Sequence, residues 1–152
     1  MLYFMKTKYF GDIDVKDEEI ITFKPGLFGF EDMTKYVLLS FLDENGETSE
    51  DFILCLQSAE DPELAFIVMN PFYIDPAYDP YKIPEEELQE MGLKETTKHT
   101  VCCITVVNDK FENSTVNLKC PVIINLENKT ARQFILDDSD YSMRTPISTK
   151  EA

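Results

Sequence analysis

Short apolar segments alternate with turn residues along most of the chain, at fairly regular intervals. The segments are rich in valine, isoleucine, phenylalanine, tyrosine and threonine, which is typical of the strands of an all-β sandwich or barrel. The pattern predicts strands at residues 6–10, 19–23, 36–42, 52–57, 64–69, 100–108, 115–119, 122–126 and 132–136. Asn45 and Gly46 lie between the third and fourth of these strands and favour a tight hairpin turn.

Three neighbouring segments in the middle of the chain differ in character. Residues 64–69 are a continuous apolar run, which predicts a central strand buried on both faces. Residues 72–83 contain Pro76 and Pro80, and proline excludes both a regular helix and a central strand, so we expect an ordered surface loop there. Residues 84–91 begin with proline and three glutamates and are followed by Gly92, which predicts one short helix.

Length and composition are those of one globular domain. The 152 residues are 43% hydrophobic and 28% charged, and a chain of this size can bury a core without disulfides or a structural metal. Cys55, Cys102, Cys103 and Cys120 are expected to be reduced thiols within strands. Cys102 and Cys103 are adjacent, so they should point to opposite faces of one strand, and their spacing is not that of a zinc site. We therefore predict no metal and no other cofactor.

The chain is strongly acidic, with 29 acidic and 14 basic residues and a formal net charge of −15. Residues 1–76 hold 16 acidic and 5 basic residues, whereas residues 77–152 hold 13 and 9. A surface of this sign repels nucleic-acid phosphates and attracts cationic surfaces over about 8 Å at physiological salt. The charge favours a basic protein as partner over direct binding of nucleic acid, although acidity also serves solubility alone.

No arrangement of residues is typical of catalysis. The single histidine, His99, lies next to a strand start and has no serine or cysteine motif around it. Residues 137–140 (DDSD) lack the glycine and the distal glutamate of a calcium loop. Residues 25–30 (PGLFGF) hold bulky side chains between their glycines and no lysine after them, which excludes a phosphate-binding loop. We predict that the protein is not an enzyme.

Two other functions stay open at this point. One is a small acidic enzyme that uses carboxylates in the mouth of a barrel, with Asp137, Asp138 or Glu63 as candidates. That function requires a deep pocket that holds two carboxylates of perturbed pKa. The other is an inhibitor that mimics nucleic acid, which requires carboxylates spaced like phosphates on one face of the protein.

The start of the chain does not have the pattern of an export signal. Residues 1–5 (MLYFM) are apolar, but the run is shorter than the roughly 7 to 15 residues of a signal-peptide core and has no basic leader. No stretch reaches the roughly 20 apolar residues that span a bilayer, and no basic amphipathic helix is predicted. We expect a cytoplasmic protein that has no contact with a membrane.

A series of short motifs runs through the chain from residue 6 to residue 147. They are TKYFG at 7–11, ITFKPGLFGF at 21–30, LQS at 56–58, AFIVMNPF at 65–72, NLKCPVIIN at 117–125 and ARQFIL at 131–136, followed by Tyr141 and by Pro146-Ile147. In content and order this series resembles the flagellar assembly factor FliW family. The family usually starts at a methionine just before Lys6, so we expect residues 1–5 to be an N-terminal extension, residues 6–147 one FliW-like domain, and residues 148–152 a flexible tail.

The resemblance implies a compact β-barrel-like domain that is mainly antiparallel and a role in protein binding. FliW-like proteins bind CsrA, an RNA-binding translational repressor, and relieve its block on flagellin mRNA. They also bind free flagellin, which displaces CsrA, so the flagellin level sets flagellin synthesis. A monomer is expected.

The partner-binding residues are predicted from the motif positions. Flagellin has amphipathic helices at its termini, for which an apolar groove is the appropriate receptor, and we predict that Phe72, Tyr73, Val122 and Ile124 line this groove. Asn117 and Asn125 flank an apolar strand pair. Their side chains either satisfy local backbone groups or contact a partner, and the sequence favours the structural role.

Overall fold

The computed structural model describes residues 2–41 and 53–147. The strands are β1 (Leu2–Lys6), β2 (Asp12–Lys16), β3 (Ile21–Phe23), β4 (Lys35–Ser40), β5 (Ile53–Ser58), β6 (Ala65–Met69), β7 (His99–Val106), β8 (Thr115–Val116), β9 (Val122–Asn125), β10 (Thr130–Gln133) and β11 (Thr145–Pro146). The helix α1 spans Glu85–Glu90, and short 3-10 helices span Asp17–Glu19, Pro71–Tyr73 and Phe111–Asn113.

Seven strands close into a barrel in the order β3, β4, β5, β6, β7, β9, β10 and back to β3. Every pairing in this ring is antiparallel except that of β10 with β3. The long strand β7 makes closure possible, because residues 99–102 pair with β9 and residues 103–105 pair with β6. The prediction of a mainly antiparallel, barrel-like fold with one short helix is confirmed.

The core has two main layers that share strands of the barrel. Alternating side chains from the ring fill the barrel interior, among them Phe23, Tyr36 and Leu56. The second layer lies outside the barrel, beneath α1 and the loop before it. On β9, Val122 and Ile124 belong to the first layer and Ile123 to the second, so this strand is covered on both faces. Burial on both faces explains the uninterrupted apolar run in its sequence.

The four cysteines are free, buried thiols, as expected. Cys55, Cys102 and Cys103 lie within strands, but that expectation is wrong for Cys120, which lies in the bend between β8 and β9. Cys102 faces the barrel interior and Cys103 faces the second layer, which confirms that the adjacent pair points to opposite faces of β7. Burial raises the pKa of Cys55 to about 11 and that of Cys103 to about 12. These thiols are therefore protonated at neutral pH and are poor nucleophiles.

The proline-containing loop and the helix after it agree with the sequence pattern. The Tyr78 hydroxyl donates a 2.7 Å hydrogen bond to the Leu118 carbonyl, and the Asp79 N–H donates to the Tyr141 hydroxyl at 2.9 Å. These bonds fix the loop on the barrel. The helix ends before Gly92, whose φ of +73° is the left-handed geometry that favours glycine after a helix.

The predicted strand at residues 6–10 is wrong. The strand ends at Lys6, and residues 7–11 form a turn that leads back into β2. The Thr7 hydroxyl donates to the Gly11 carbonyl at 2.6 Å and accepts from the Phe10 N–H at 2.8 Å, and Gly11 has a φ of +67°. Local side-chain bonds of this kind compete with the strand conformation.

Several other predicted strands differ in extent or burial. The predicted strand at 64–69 forms the central strand β6 from Ala65, but residues 65–67 are only half-buried. The predicted strands at 115–119 and 132–136 end early, at Val116 and Gln133. The predicted Asn45-Gly46 turn, the strand ends at residues 41–42 and 52, and the tail at 148–152 lie wholly or partly outside the described residues.

Candidate protein-binding surface

The β1–β2 hairpin carries exposed carboxylates beside exposed apolar side chains. In its register Asp12 lies opposite Lys6, and Asp14 lies opposite Phe4, which is 69% exposed. The 3-10 helix that follows, Asp17–Glu19, consists of three exposed acidic residues. Asp12, Asp14 and this short helix together are called the acidic hairpin below.

Asp17 is tied to the first strand by its contact with Tyr3. The hydrogen bond from the Tyr3 hydroxyl lowers the pKa of Asp17, and the same contact raises the pKa of Tyr3. The Asp17 carboxylate is therefore ionised at neutral pH. Tyr3 and Asp17 both lie at the surface, so the contact orients the carboxylate without burying its charge.

A cavity of about 490 Å³ separates the acidic hairpin from the barrel wall. Asp17, Lys35 and Glu60 line it together with the apolar side chains of Met5 and Ile20. Glu60 accepts hydrogen bonds from the backbone N–H groups of Thr34 and Lys35, at 2.8 and 3.1 Å. Two carboxylates from distant parts of the first half of the chain thus border the same space.

A buried glutamine joins this hairpin to the turn between β5 and β6, which carries Glu60, Asp61 and Glu63. Gln57 is fully buried, and its Oε1 accepts a 2.9 Å hydrogen bond from the Lys8 N–H. Its Nε2 donates to the carbonyl groups of Ser58, at 3.0 Å, and of Leu64, at 3.2 Å. The sequence interpretation did not single out this role, although a polar side chain directly after the apolar run ILCL, inside a predicted strand, was a signal for it.

Gln133 plays a similar part on the other side of the barrel. Its Oε1 accepts a 2.9 Å hydrogen bond from the Phe28 N–H, and its Nε2 donates to the Cys120 carbonyl at 3.3 Å. This side chain thereby holds the loop of residues 25–30 against the end of β10. Both glutamines belong to the motifs quoted above, and both are internal connectors.

The structure separates the four residues predicted to line an apolar groove. Phe72 is half-buried, with its ring edge-on to Tyr78 at a centroid distance of 5.9 Å, and Tyr73 is 62% exposed. Val122 and Ile124 have no exposed surface and pack inside the barrel. The groove prediction is corrected for these two residues, because side chains that fill the core cannot contact a partner.

The two predicted asparagines bond to local backbone groups. The Asn117 side-chain oxygen accepts a 3.0 Å hydrogen bond from the Cys120 N–H. Asn125 is 2% exposed; its Nδ2 donates to the Met91 carbonyl at 2.8 Å, and its Oδ1 accepts from the Glu127 N–H at 2.9 Å. These bonds are the structural alternative that the sequence favoured.

The carboxylates proposed for an enzyme lie on two surface loops. Asp137 and Asp138 are exposed after β10, and Glu63 is exposed in the turn between β5 and β6. His99 bonds to the Tyr81 hydroxyl and to the Thr97 carbonyl, each at 2.9 Å. Within residues 2–41 and 53–147, no group of three or more histidine, cysteine or acidic residues is arranged to hold a metal ion. No helix of this described part is long and apolar enough to cross a membrane.

Comparison with known proteins agrees with the fold and with the motif series. The family model described as FliW protein matches residues 4–147. The flagellar assembly factor FliW of Ruminiclostridium cellulolyticum is 37% identical over 140 residues, which are 92% of this chain and 90% of that protein. That of Lachnospira eligens is 36% identical over 145 residues, covering 94% and 93%. A crystal structure of the flagellar assembly factor FliW superimposes with a TM-score of 0.87 and 27% identity, covering 99% of this chain and 100% of the other.

Proposed function

The chain belongs to the FliW family of flagellar assembly factors, and from this membership we propose that it antagonises the translational repressor CsrA and binds flagellin. It acts in the cytoplasm as a monomeric binding protein that needs no cofactor and performs no catalysis. CsrA bound to this protein releases flagellin mRNA, and flagellin bound to this protein releases CsrA. The cytoplasmic level of flagellin thereby controls flagellin translation.

The observation that carries the proposal is the acidic surface of the first half of the chain. Residues 1–76 hold 16 acidic residues, of which 11 lie in the described part together with 5 basic residues. A repressor that binds RNA carries cationic surface, so an acidic partner associates with it faster than a neutral one. The acidic hairpin and the turn that Gln57 joins to it supply exposed carboxylates for this attraction.

Electrostatic repulsion explains how the bound protein rejects RNA. Once this protein is docked on the repressor, its carboxylates lie near incoming phosphates, and like charges repel within about one Debye length, roughly 8 Å at physiological salt. RNA is therefore rejected in part by repulsion, without full occlusion of its binding site. Salt weakens this electrostatic repulsion but not steric exclusion, so the salt dependence distinguishes the two.

The two partners are coupled through this protein. If bound flagellin lowers the affinity for CsrA by some factor, bound CsrA must lower the affinity for flagellin by the same factor. The coupling requires either overlapping sites or two conformations of this protein. Equality of the two factors is a thermodynamic requirement of the proposal and can be measured.

The proposal is tested by competition between the purified partners. Immobilised full-length protein is incubated with CsrA, with flagellin, and with CsrA at rising flagellin concentration. We expect each partner to bind alone and flagellin to displace CsrA, while a surface loaded with bovine serum albumin captures neither. Failure to bind either partner would refute the proposed function, and simultaneous binding of both without displacement would refute the coupling.

A further inference from the structure

A second surface feature lies in the second half of the chain, beside the helix α1. Eight residues line an open groove of about 870 Å³. They are Tyr81, Glu85, Leu88, Gln89, Leu93, Lys94, Glu95 and His99. We call this feature the α1 groove. It shares no residue with the acidic hairpin.

The apolar part of the α1 groove is fixed in place. Leu88 and Leu93 are half-buried because they pack on the second core layer while still facing the groove. Tyr81 stands edge-on to His99, with ring centroids 5.7 Å apart and its hydroxyl 2.9 Å from Nε2. His99 Nδ1 lies 2.9 Å from the Thr97 carbonyl, which can only accept, so the ring donates a hydrogen bond there. A wall held in this way loses little entropy when a partner binds.

The backbone of the α1 groove offers little to an extended peptide. The N–H groups of Leu88 and Leu93 donate to the Pro84 and Leu88 carbonyls, and that of Lys94 donates to the Thr97 hydroxyl. The Tyr81 N–H donates to the Asp79 carboxylate at 3.0 Å. A β-strand adds to a surface through free main-chain groups, whereas a helix satisfies its own. The occupant that fits is therefore a helix with an apolar face.

The charges around the α1 groove select a basic helix. Glu85 and Glu95 line it, and Lys94 is the single lysine or arginine among the eight. Two other glutamates of α1, Glu87 and Glu90, lie 3.6 and 3.1 Å from the guanidinium of Arg132, whose single positive charge offsets one of their two negative charges. A second copy of this chain is disfavoured as occupant, because each copy carries a net charge of −15.

We propose that the α1 groove binds an amphipathic helix of a protein partner, with apolar side chains against Leu88, Leu93 and Tyr81 and basic residues against Glu85 and Glu95. This inference rests on the proposed function only in expecting a protein partner. It places a binding site that is separate from the acidic hairpin. Two sites on different surfaces would let one protein recognise two partners by different chemistry.

The experiment titrates the full-length ¹⁵N-labelled protein with a synthetic helical probe and follows the backbone amide resonances. The probe is a peptide of leucine and lysine, about 14 residues long so that it can form a helix, with its leucines on one face. Two further probes have the same length, one with glutamate in place of lysine and one with leucine and lysine in strict alternation. We expect the helical lysine probe to shift the amides of Leu88, Leu93 and His99, with an affinity about tenfold higher than that of either other probe.

Substitutions in the groove provide a second test, which is their effect on the affinity for the helical lysine probe. Glu85→Lys with Glu95→Lys should weaken the helical lysine probe at least about fivefold, and both sites are exposed, so the fold is kept. Asp109→Lys with Glu112→Lys, in the exposed loop after β7, makes the same charge change elsewhere and should leave the affinity within about twofold. Leu88→Asp should abolish binding, with circular dichroism as the check on folding.

Three outcomes would overturn the proposal. They are the absence of resonance shifts, shifts centred on other residues, and equal weakening by the groove and the Asp109/Glu112 substitutions. Neither CsrA nor flagellin is present in this experiment. A negative result here would therefore not affect the competition test of the proposed function. A negative competition test would likewise not affect the conclusion about the groove.

Discussion

The side-chain amide of Asn125 donates a 2.8 Å hydrogen bond to the backbone carbonyl of Met91, which joins the end of β9 to the end of α1. The oxygen of the same amide accepts from the Glu127 N–H, so one buried side chain satisfies a helix end and a turn together. Arg132 holds the helix from β10 through its contacts with Glu87 and Glu90. The position of the α1 groove thus depends on side chains from the barrel.

Replacing Asn125 by alanine leaves the Glu127 N–H without its side-chain partner and leaves the Met91 carbonyl with only a 3.4 Å hydrogen bond from the Asn128 side chain. We expect Asn125→Ala to lower the free energy of unfolding by about 2 to 3 kcal/mol, and Asn117→Ala, at a half-buried site with one bond, by about 1 kcal/mol. Urea unfolding followed by circular dichroism measures both. An unchanged unfolding midpoint for Asn125→Ala would contradict the structural role and restore Asn125 as a candidate partner contact.

Gln57 connects the turn after β1 with the turn after β5, and its loss should release that connection. Gln57→Met keeps the size of the side chain but removes the acceptor for the Lys8 N–H and the donor for the Ser58 and Leu64 carbonyls. We expect a loss of about 2 to 3 kcal/mol in unfolding free energy and faster hydrogen exchange at the Lys8 amide. Gln89→Met, at an exposed position of α1, is the control and should change neither quantity. Slow exchange at Lys8 in the Gln57 variant would show that other contacts hold the turn.

Tyr36 gives a prediction for alkaline pH. Its hydroxyl is buried and has no hydrogen-bond partner within the described residues, and burial, with a smaller effect of Glu60, raises its pKa from 10.0 to about 12. The folded protein therefore holds this proton at a pH where the unfolded chain releases it. The resulting stabilisation is complete below pH 10 and is lost as the pH rises towards 12.

Tyr36→Phe removes both the unpaired hydroxyl and this titration. At neutral pH we expect the variant to be as stable as the parent or up to about 1 kcal/mol more stable. Between pH 10 and pH 12 the parent should lose about 2 kcal/mol more than the variant. Denaturant unfolding across this pH range measures the difference. Parallel stability curves for the two proteins would show that Tyr36 does not titrate in this way.

The hydrophobic pattern predicted most of the strands because their burial is periodic, but it could not assign the surface. The run at 122–124 shows why: continuous apolar character indicates a strand covered on both faces, and the sequence interpretation instead placed two of its residues in an open groove. The error at residues 6–10 has a different cause. Thr7 bonds to the Gly11 carbonyl and to the Phe10 N–H, and such local bonds leave no periodic signal.

The α1 groove was not predicted from sequence because its walls come from separate elements. Leu88 lies in the short helix α1, and Leu93 follows it. His99 is the first residue of β7, and Tyr81, the residue that its ring contacts in the groove wall, lies 18 positions earlier in the chain. The ring pair exists only once the loop before α1 is fixed on the barrel through Tyr78. Charge, by contrast, was visible from composition, since most carboxylates remain at the surface of a folded protein.

The central claim is that the acidic surface of the first half of the chain steers this protein to a cationic repressor. The most direct measurement is the association rate with CsrA, by stopped flow, as a function of salt. Asp12→Asn, Asp14→Asn and Glu18→Gln are combined in one variant, and Asp109→Asn, Glu112→Gln and Asp138→Asn serve as the matched control; all six side chains are exposed. We predict that the first variant associates about tenfold more slowly at low salt and has a flatter salt dependence, while the control stays close to the parent. Equal rates and equal salt dependence for the two variants would contradict the claim.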